Sequence, residues 1–134
     1  MVCIYCGGET KVVNSRHQKK TNQVWRRRRC LACQGVFTSY EGADLASSLV
    51  FRRNLAHLEP FQRDRLFLSI YEACRHRKTA ETDARALTDT ILAKLRGKIQ
   101  DASVDRTQLV SVSSEVLKRF DRAACTAYLA FHPL

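Results

Sequence analysis

The sequence has no apolar run that could cross a membrane. Although 45% of its 134 residues are hydrophobic, they never form the stretch of about 18 apolar residues that a membrane-spanning helix needs. The first residues, MVCIYCGGETK, contain neither the apolar segment nor the cleavage site of a secretory signal. We therefore expect a cytoplasmic protein with no membrane partner. In that compartment cysteines stay reduced, so paired cysteines are interpreted as metal ligands in preference to disulfides.

Acidic residues are scarce in the first third of the chain. Residues 1–40 contain a single acid, Glu9, against eight lysines and arginines, so their net charge is +7. Residues 41–134 carry only +3 of the total charge of +10. A charged surface that only keeps the protein soluble accounts for +3 over residues 41–134, but not for +7 over residues 1–40. The N-terminal third is therefore expected to bind a polyanion.

Long aliphatic side chains are also rare in this first third, which holds four cysteines and three of the five glycines. A segment so small and so poor in apolar residues needs a staple to fold, that is, a cross-link such as a bound metal ion or a disulfide. Short strands are predicted around KVVNS and NQVW, on either side of the polar stretch RHQKKTN, and a third strand over VFTSYE. In the third strand, alternation places Val36, Thr38 and Tyr40 on one face and Phe37 and Ser39 on the other.

Four of the cysteines have the spacing of a metal site. Cys3 and Cys6 form one C-x-x-C pair, and Cys30 and Cys33 form another, with 23 residues between the pairs. Each pair fits a tight turn that points two sulfurs at one ion, and two such turns complete a tetrahedron of thiolates. Because four thiolates leave no open coordination position, the ion is expected to be structural Zn²⁺, with iron as an alternative.

No other pattern indicates catalysis or a second metal. A thioredoxin-like redox pair would need a C-x-x-C at the start of a helix in a β-α-β unit, which the sequence does not offer. Cys74 and Cys125 lie on apolar helical faces and are interpreted as small core residues. The four histidines are scattered, and a P-loop glycine pattern and a paired acid–base constellation are both missing. An enzyme is therefore not expected.

A run of four arginines, Arg26–Arg29, stands directly before the second cysteine pair. In an extended strand alternate side chains point to opposite faces, so at most two of the four are expected on any one surface. Arginine donates paired hydrogen bonds to phosphate and guanine, and Trp25 and Arg16 could add a stacking and a polar contact. Charge runs are often only solvated. Here three lysines, among them Lys11, lie in the same small segment, which favours nucleic-acid binding.

Beyond residue 40 the pattern changes. EGADLAS is a candidate linker and SLVFRR a candidate strand. A first helix is predicted within residues 61–77, where Leu66, Ile70 and Cys74 recur at four-residue spacing. A second is predicted within residues 79–97, with Gly97 as its stop.

Two more helices are predicted after Asp105 and Asp121, both good N-cap residues, and the last ends before Pro133. The core-facing side chains of the second, third and fourth helices are expected to be Leu87, Ile91 and Leu95, then Leu109, Val112, Val116 and Phe120, and then Ala124, Ala127, Tyr128 and Phe131. Four helices behind a strand or hairpin form a compact bundle.

Several stretches together resemble the NrdR family over nearly the whole chain: CIYCGGETKVVNSR, RRRRCLACQGVFTSYE, EPFQRDRL and VDRTQLVSVSSEVLKRFD. Members of that family are bacterial transcriptional repressors of ribonucleotide reductase genes. The resemblance implies an α+β fold, in which a small four-cysteine zinc ribbon of short β-strands precedes a mainly α, ATP-cone-like four-helix bundle with a β-hairpin cap. It implies a zinc-ribbon DNA-binding domain over residues 1–43 and an ATP-cone-like domain for nucleotide sensing and oligomerisation over residues 47–134.

The resemblance also implies three sets of site residues. The zinc ligands match Cys3, Cys6, Cys30 and Cys33. The DNA-binding residues match Lys11, Arg16, Arg26, Arg27, Arg28 and Arg29. The nucleotide-binding residues match Val50, Arg52, Arg53, Glu59, Gln62 and Arg65. The family's lysine positions are occupied here by Arg65 and by either Arg52 or Arg53. These three arginines are expected near the start of the first helix, where free N–H groups and the helix dipole favour anions.

The partners that the resemblance implies are double-stranded operator DNA, ATP or dATP as an allosteric ligand, and further copies of the chain. Nucleotide state would set the oligomer, and the oligomer would set DNA binding in the bacterial cytoplasm, at the nucleoid. The sequence departs from the family at Asn54-Leu55-Ala56, where an Asp-Gly turn is usual, and in NSR in place of DSR. A second hypothesis is a zinc-ribbon adaptor for nucleic acid or protein, whose bundle only oligomerises and binds no nucleotide.

Overall fold

The computed structural model describes residues 1–133, which divide into two compact units. The first unit runs from Met1 to Ala43, and the second begins at Asp44. Among the described residues, no helix combines the length and the apolar character that would let it span a membrane.

The first unit is an antiparallel sheet of three strands. They are β1 (Thr10–Gln18), β2 (Gln23–Cys30) and β3 (Val36–Glu41), in the order β1-β2-β3. The predicted ribbon is confirmed, and its first two strands extend further than the sequence patterns indicated. Asn22 closes the turn between them with a positive φ of 56°, a conformation that asparagine tolerates better than most residues.

A β-bulge interrupts the pairing of the first two strands. Val12 pairs with Arg28 and Asn14 pairs with Arg27, which leaves Val13 as the extra residue. A bulge shifts the alternation of its strand by one residue. On β1, odd-numbered residues before Val13 therefore lie on the same face of the sheet as even-numbered residues after it.

Over its described residues, 44–133, the second unit contains five helices and three strands. In chain order they are α1 (Leu45–Ser48), β4 (Val50–Asn54), β5 (His57–Pro60), α2 (Arg63–Ala73), α3 (Ala80–Leu95), β6 (Ser103–Asp105), α4 (Arg106–Phe120) and α5 (Arg122–Phe131). The predicted linker EGADLAS is partly wrong, because Asp44 caps a single helical turn there by accepting from the N–H of Ala46. The capping roles expected of Asp105 and Asp121 are confirmed.

Helices α2 to α5 enclose one hydrophobic core of 18 buried residues. Leu66, Ile70 and Cys74 are buried as their spacing predicted, and Leu87, Ile91 and Leu95 form the buried stripe of α3. At one edge of the bundle lies a second sheet, in the order β5-β4-β6, in which β4 and β6 run parallel. The hairpin β4–β5 was expected, but β6 was not, because three residues are too few to give a periodic signal.

Two residues predicted to face the core lie at the surface instead. Phe120, the last residue of α4, is 40% exposed. Its ring lies 4.7 Å from the guanidinium of Arg77, so it packs against a cation. Phe131 is 79% exposed. The next residue, His132, turns inward instead, where its Nε2 lies 2.6 Å from the hydroxyl of Ser69.

Candidate metal centre and ligand-binding surfaces

The four cysteine sulfurs of the first unit converge on one point. All four lie within 4.8 Å of one another. The sulfur of Cys3 is 3.7 Å from that of Cys33, and the sulfur of Cys6 is 3.5 Å from that of Cys30. A tetrahedron with Zn–S bonds of about 2.3 Å separates its sulfurs by about 3.8 Å. The cluster therefore has the size and the donor chemistry of a closed, structural zinc site.

The backbone holds the two cysteine turns in matching conformations. The N–H of Cys3 donates to the carbonyl of Gly8 over 2.8 Å, and the N–H of Cys30 donates to that of Gly35 over 2.9 Å. Gly35 is required by space, because a Cβ there would lie 2.6 Å from the ring of Tyr5. The sequence thus shapes both turns around the sulfurs.

Hydrogen bonds within the cluster shift the pKa values of Cys30 and Cys33 in opposite directions. The N–H of Cys33 donates to the sulfur of Cys30 and lowers the pKa of Cys30 to about 6. An N–H contact from Gly35 lowers the pKa of Cys33, but the neighbouring thiols, Cys6 first among them, outweigh it and raise the pKa to about 12. A bound cation would replace the remaining protons, since metal ligation requires thiolates.

The first unit has little else to hold it together. Its buried core consists of Cys3, Cys30 and Phe37, and Tyr5 adds an edge-on contact to the Phe37 ring. Two of these three core residues are members of the sulfur cluster. The four cysteines therefore support a structural Zn²⁺ that staples residues too few to fold by burial alone.

The pairing register sorts the four arginines of β2 onto the two faces of the sheet. Directly opposite residues in an antiparallel pair share a face. The "Arg27 face" consists of Lys11, Asn14, Arg16, Gln18, Gln23, Trp25, Arg27, Arg29, Val36, Thr38 and Tyr40. The "Arg28 face" consists of Thr10, Val12, Ser15, His17, Val24, Arg26, Arg28, Cys30, Phe37, Ser39 and Glu41. The predicted alternation of β3 is confirmed, and so is the prediction that at most two residues of the run Arg26–Arg29 lie on any one face.

Side-chain contacts agree with this assignment. Arg26 pairs with Glu41 at 2.8 Å, and the Nε of Arg28 donates to the hydroxyl of Ser39 over 2.9 Å. On the other face, Arg27 donates to the hydroxyl of Thr38 over 3.2 Å. Arg27 and Arg29 are exposed, whereas Arg26 and Arg28 are half-buried. The arginines of the two faces therefore differ in environment as well as in direction.

The second unit contains a cleft of about 670 Å³ beside the hairpin β4–β5. Its lining combines apolar side chains with charged and polar ones. It is lined by Phe51, Arg53, Asn54, Glu59, Pro60, Phe61, Gln62, Arg65, Leu66, Ser69, Arg106, Leu109, Val110, Tyr128 and His132. A cleft of this size falls within the range of about 300–1,000 Å³ that is typical of small-molecule sites.

Two arginines of this cleft converge on one carboxylate. Arg53 and Arg65 donate to the two oxygens of Glu59 over 3.2 and 2.9 Å, and the contact with Arg65 chiefly holds the pKa of Glu59 below its usual range. Arg52 takes a different direction, because it lies 3.6 Å from Asp105 and does not line the cleft. The structure thus brings together four of the residues expected at the nucleotide, and it leaves Val50 and Arg52 outside the lining.

The turn that departs from the family pattern is closed by its own side chain. The amide oxygen of Asn54 accepts from the N–H groups of Ala56 and His57, over 3.0 and 2.9 Å. Such an Asx turn tightens a hairpin without glycine. It projects Leu55, which is 97% exposed.

Sequence reasoning missed several residues of these surfaces. Arg106 and Tyr128 line the cleft from α4 and α5, far along the chain from the hairpin, and no local pattern links them to it. Asn14 joins the Arg27 face only because of the bulge at Val13. Tyr40 was placed on its correct face by alternation, but nothing marked that face as the cationic one.

Comparison with known proteins shows relatives of the whole chain. Residues 1–41 match the family model described as "Transcriptional repressor NrdR-like, N-terminal domain". The transcriptional repressor NrdR of Symbiobacterium thermophilum is 33% identical over 132 residues, covering 98% of this chain and 84% of that protein. That of Leptothrix cholodnii is 33% identical over 132 residues, covering 98% and 86%. That of Chlamydia trachomatis is 30% identical over 125 residues, covering 92% and 79%.

The similarity extends well beyond the ribbon. It includes the bundle that carries the cleft, and the names of these relatives describe a transcriptional repressor, which is not an enzyme. The four-cysteine cluster supplies the metal site that a zinc ribbon requires. Ribbon, bundle and relatives agree, and the chain belongs to the family of the transcriptional repressor NrdR.

Proposed function

We propose that this protein is a nucleotide-responsive DNA-binding repressor of ribonucleotide reductase genes, acting in the bacterial cytoplasm at the nucleoid. Residues 1–43 would bind operator DNA, and residues 47–134 would bind ATP or dATP and set the oligomeric state. The observation that carries the proposal is the cleft of about 670 Å³, in which Arg53 and Arg65 share the carboxylate of Glu59. The phosphates of a nucleoside triphosphate carry enough negative charge to compete with that carboxylate for the two arginines.

The chemistry of the cleft supports an adenine nucleotide. Phe51, Phe61 and Leu109 offer apolar surface for a base. Gln62, at the N-cap of α2, makes no side-chain capping hydrogen bond. The first N–H groups of that helix therefore have no side-chain cap, and they favour an anion together with the helix dipole. Arg65, in the first turn of α2, adds its guanidinium to the same end of the cleft.

The ribbon supports a polyanionic partner. Its sheet carries Lys11, Arg16 and the four arginines of β2, and the zinc staple would keep these side chains in fixed relation. A single ribbon offers few contacts, so useful affinity would come from several ribbons on one oligomer. Nucleotide then controls DNA binding by linkage, because it must bind one assembly more tightly than another to change their populations.

The proposal predicts that operator affinity depends on the nucleotide. Binding of the full chain to a labelled promoter fragment of its own ribonucleotide reductase genes, followed by fluorescence anisotropy at fixed salt, is expected to differ between ATP, dATP and no nucleotide. A coupling of about 5- to 150-fold is typical of allosteric ligands. The same affinity in all three conditions would refute nucleotide control. No affinity for duplex DNA in any condition would refute the repressor itself.

The adaptor hypothesis, in which the bundle only oligomerises, makes a different prediction for the cleft. It predicts no heat on titration with ATP or dATP and no nucleotide retained after purification. The convergence of Arg53 and Arg65 on Glu59, in a cleft that also offers apolar surface, favours the nucleotide-binding alternative.

A further inference from the structure

The two faces of the ribbon sheet differ in charge. The Arg27 face carries Lys11, Arg16, Arg27 and Arg29 and no acidic residue. The Arg28 face carries two arginines, and Glu41 neutralises one of them. A polyanion is therefore attracted mainly to one side of the sheet.

We propose that duplex DNA is bound by the Arg27 face alone, and that Arg26 and Arg28 stabilise the sheet without touching DNA. This inference rests on the proposed function of the ribbon and assigns that function to one surface. It divides the arginine run into two contacting and two structural residues.

The contacts of Arg26 and Arg28 account for their structural role. Arg26 donates from Nε and Nη2 to the same oxygen of Glu41, over 3.2 and 2.8 Å, and so ties β2 to the end of β3. Arg28 donates to Ser39 on the same face, which also holds the buried ring of Phe37. To bind a phosphate, Arg26 would have to give up its carboxylate.

The bulge at Val13 assembles the cations of the Arg27 face. Lys11 and Arg16 are five residues apart, so strict alternation would put them on opposite sides of β1. The bulge reverses the phase between them, so that Lys11 stands opposite Arg29 and Arg16 stands opposite Trp25. Among residues 1–133, no ion pair involves Lys11, Arg16, Arg27 or Arg29. All four are exposed and available to phosphates.

The aromatic residues favour a duplex over single-stranded nucleic acid. Trp25 lies between Arg16 on β1 and Tyr40 on β3 and is only half-exposed. Tyr40, which is 56% exposed, is the more accessible ring. Single-strand binders stack successive bases on several open rings, which this face does not offer. An exposed hydroxyl at Tyr40 and the amide of Asn14 instead suit phosphate and base-edge contacts.

Two double variants with the same change in charge test the inference. R27A/R29A and R26A/R28A each remove two arginines from β2, and the full chain is titrated with the same promoter duplex under the nucleotide condition that binds most tightly. We expect R27A/R29A to weaken binding about tenfold for each arginine and to reduce the slope of log K against log salt by about two. R26A/R28A is expected to keep the parent slope. Zinc content and Trp25 fluorescence establish that each ribbon is folded.

If R26A/R28A fails to fold, R16Q and R26Q repeat the comparison with one charge each. If the two double variants, or the two single variants, lose the same amount of DNA affinity while the parent binds normally, the face assignment is overturned. The proposal that the ribbon binds DNA would still stand. Unchanged binding in R27A/R29A would overturn it as well. Tighter binding of the parent to one strand than to the duplex would overturn the choice of ligand. A parent that binds no duplex at all would instead refute the proposed function.

Discussion

Replacing Cys30 with serine is expected to abolish zinc binding and to unfold the first unit. Only Cys3, Cys30 and Phe37 are buried there, so burial cannot hold the sheet once the metal is lost. A structural zinc contributes about 10–16 kcal/mol to small zinc-finger peptides, which is more than such a core can replace. The single tryptophan, Trp25, lies on β2, so its emission should shift to that of a solvated ring. Elemental analysis should find no zinc.

The second unit provides the control for this prediction. Its core of 18 buried residues does not depend on the sulfur cluster, so the helical signal in circular dichroism should persist in Cys30→Ser. Cys74→Ala changes a cysteine that is buried in the bundle, and it should retain both zinc and the Trp25 spectrum. A Cys30→Ser protein with a native Trp25 spectrum and a full complement of zinc would show that the cluster is not a staple.

Replacing Arg53 with alanine is expected to weaken ATP and dATP binding about tenfold or more, a typical effect of losing a hydrogen bond to a charged group. Arg53 lines the cleft and shares Glu59 with Arg65, so its guanidinium lies where phosphates would be bound. Arg65→Ala should have a similar effect. Isothermal titration calorimetry of the full chain with each nucleotide measures both.

The neighbouring residue supplies a matched control. Arg52 lies on the same strand, and its replacement by alanine removes the same charge, but its side chain is directed to Asp105 and Ser103. Arg52→Ala should therefore leave nucleotide affinity within about threefold of the parent. This change is well below the loss of affinity expected when a hydrogen bond to a charged group is removed. An Arg52 variant that loses affinity while Arg53→Ala retains it would assign the family's lysine position to Arg52.

Patterns with a regular period were readable from the sequence. The four-residue spacing of Leu66, Ile70 and Cys74 defined the buried side of α2, and alternation defined both faces of β3. The two C-x-x-C pairs located the metal site because the geometry of a thiolate tetrahedron is set by the ion. In each case the spacing of a few residue types along the chain is enough to predict the feature.

Features set by tertiary context were not readable. The bulges at Val13 and after Arg52 change which side chains share a face, and no residue type marks either position. Strand β6 exists because it pairs with β4, and its three residues give no signal of their own. Phe131 was assigned to the core by extending a helical stripe to the last residue of α5, where the chain leaves the helix and His132 turns inward instead.

Native mass spectrometry of the full chain, with ATP, with dATP and with neither, tests the central claim most directly, because it reports metal, nucleotide and subunit number together. The account predicts one zinc per chain in every condition, bound nucleotide where it is supplied, and a subunit number that changes with the nucleotide. A subunit number that is the same in all three conditions, with no nucleotide retained, would contradict it.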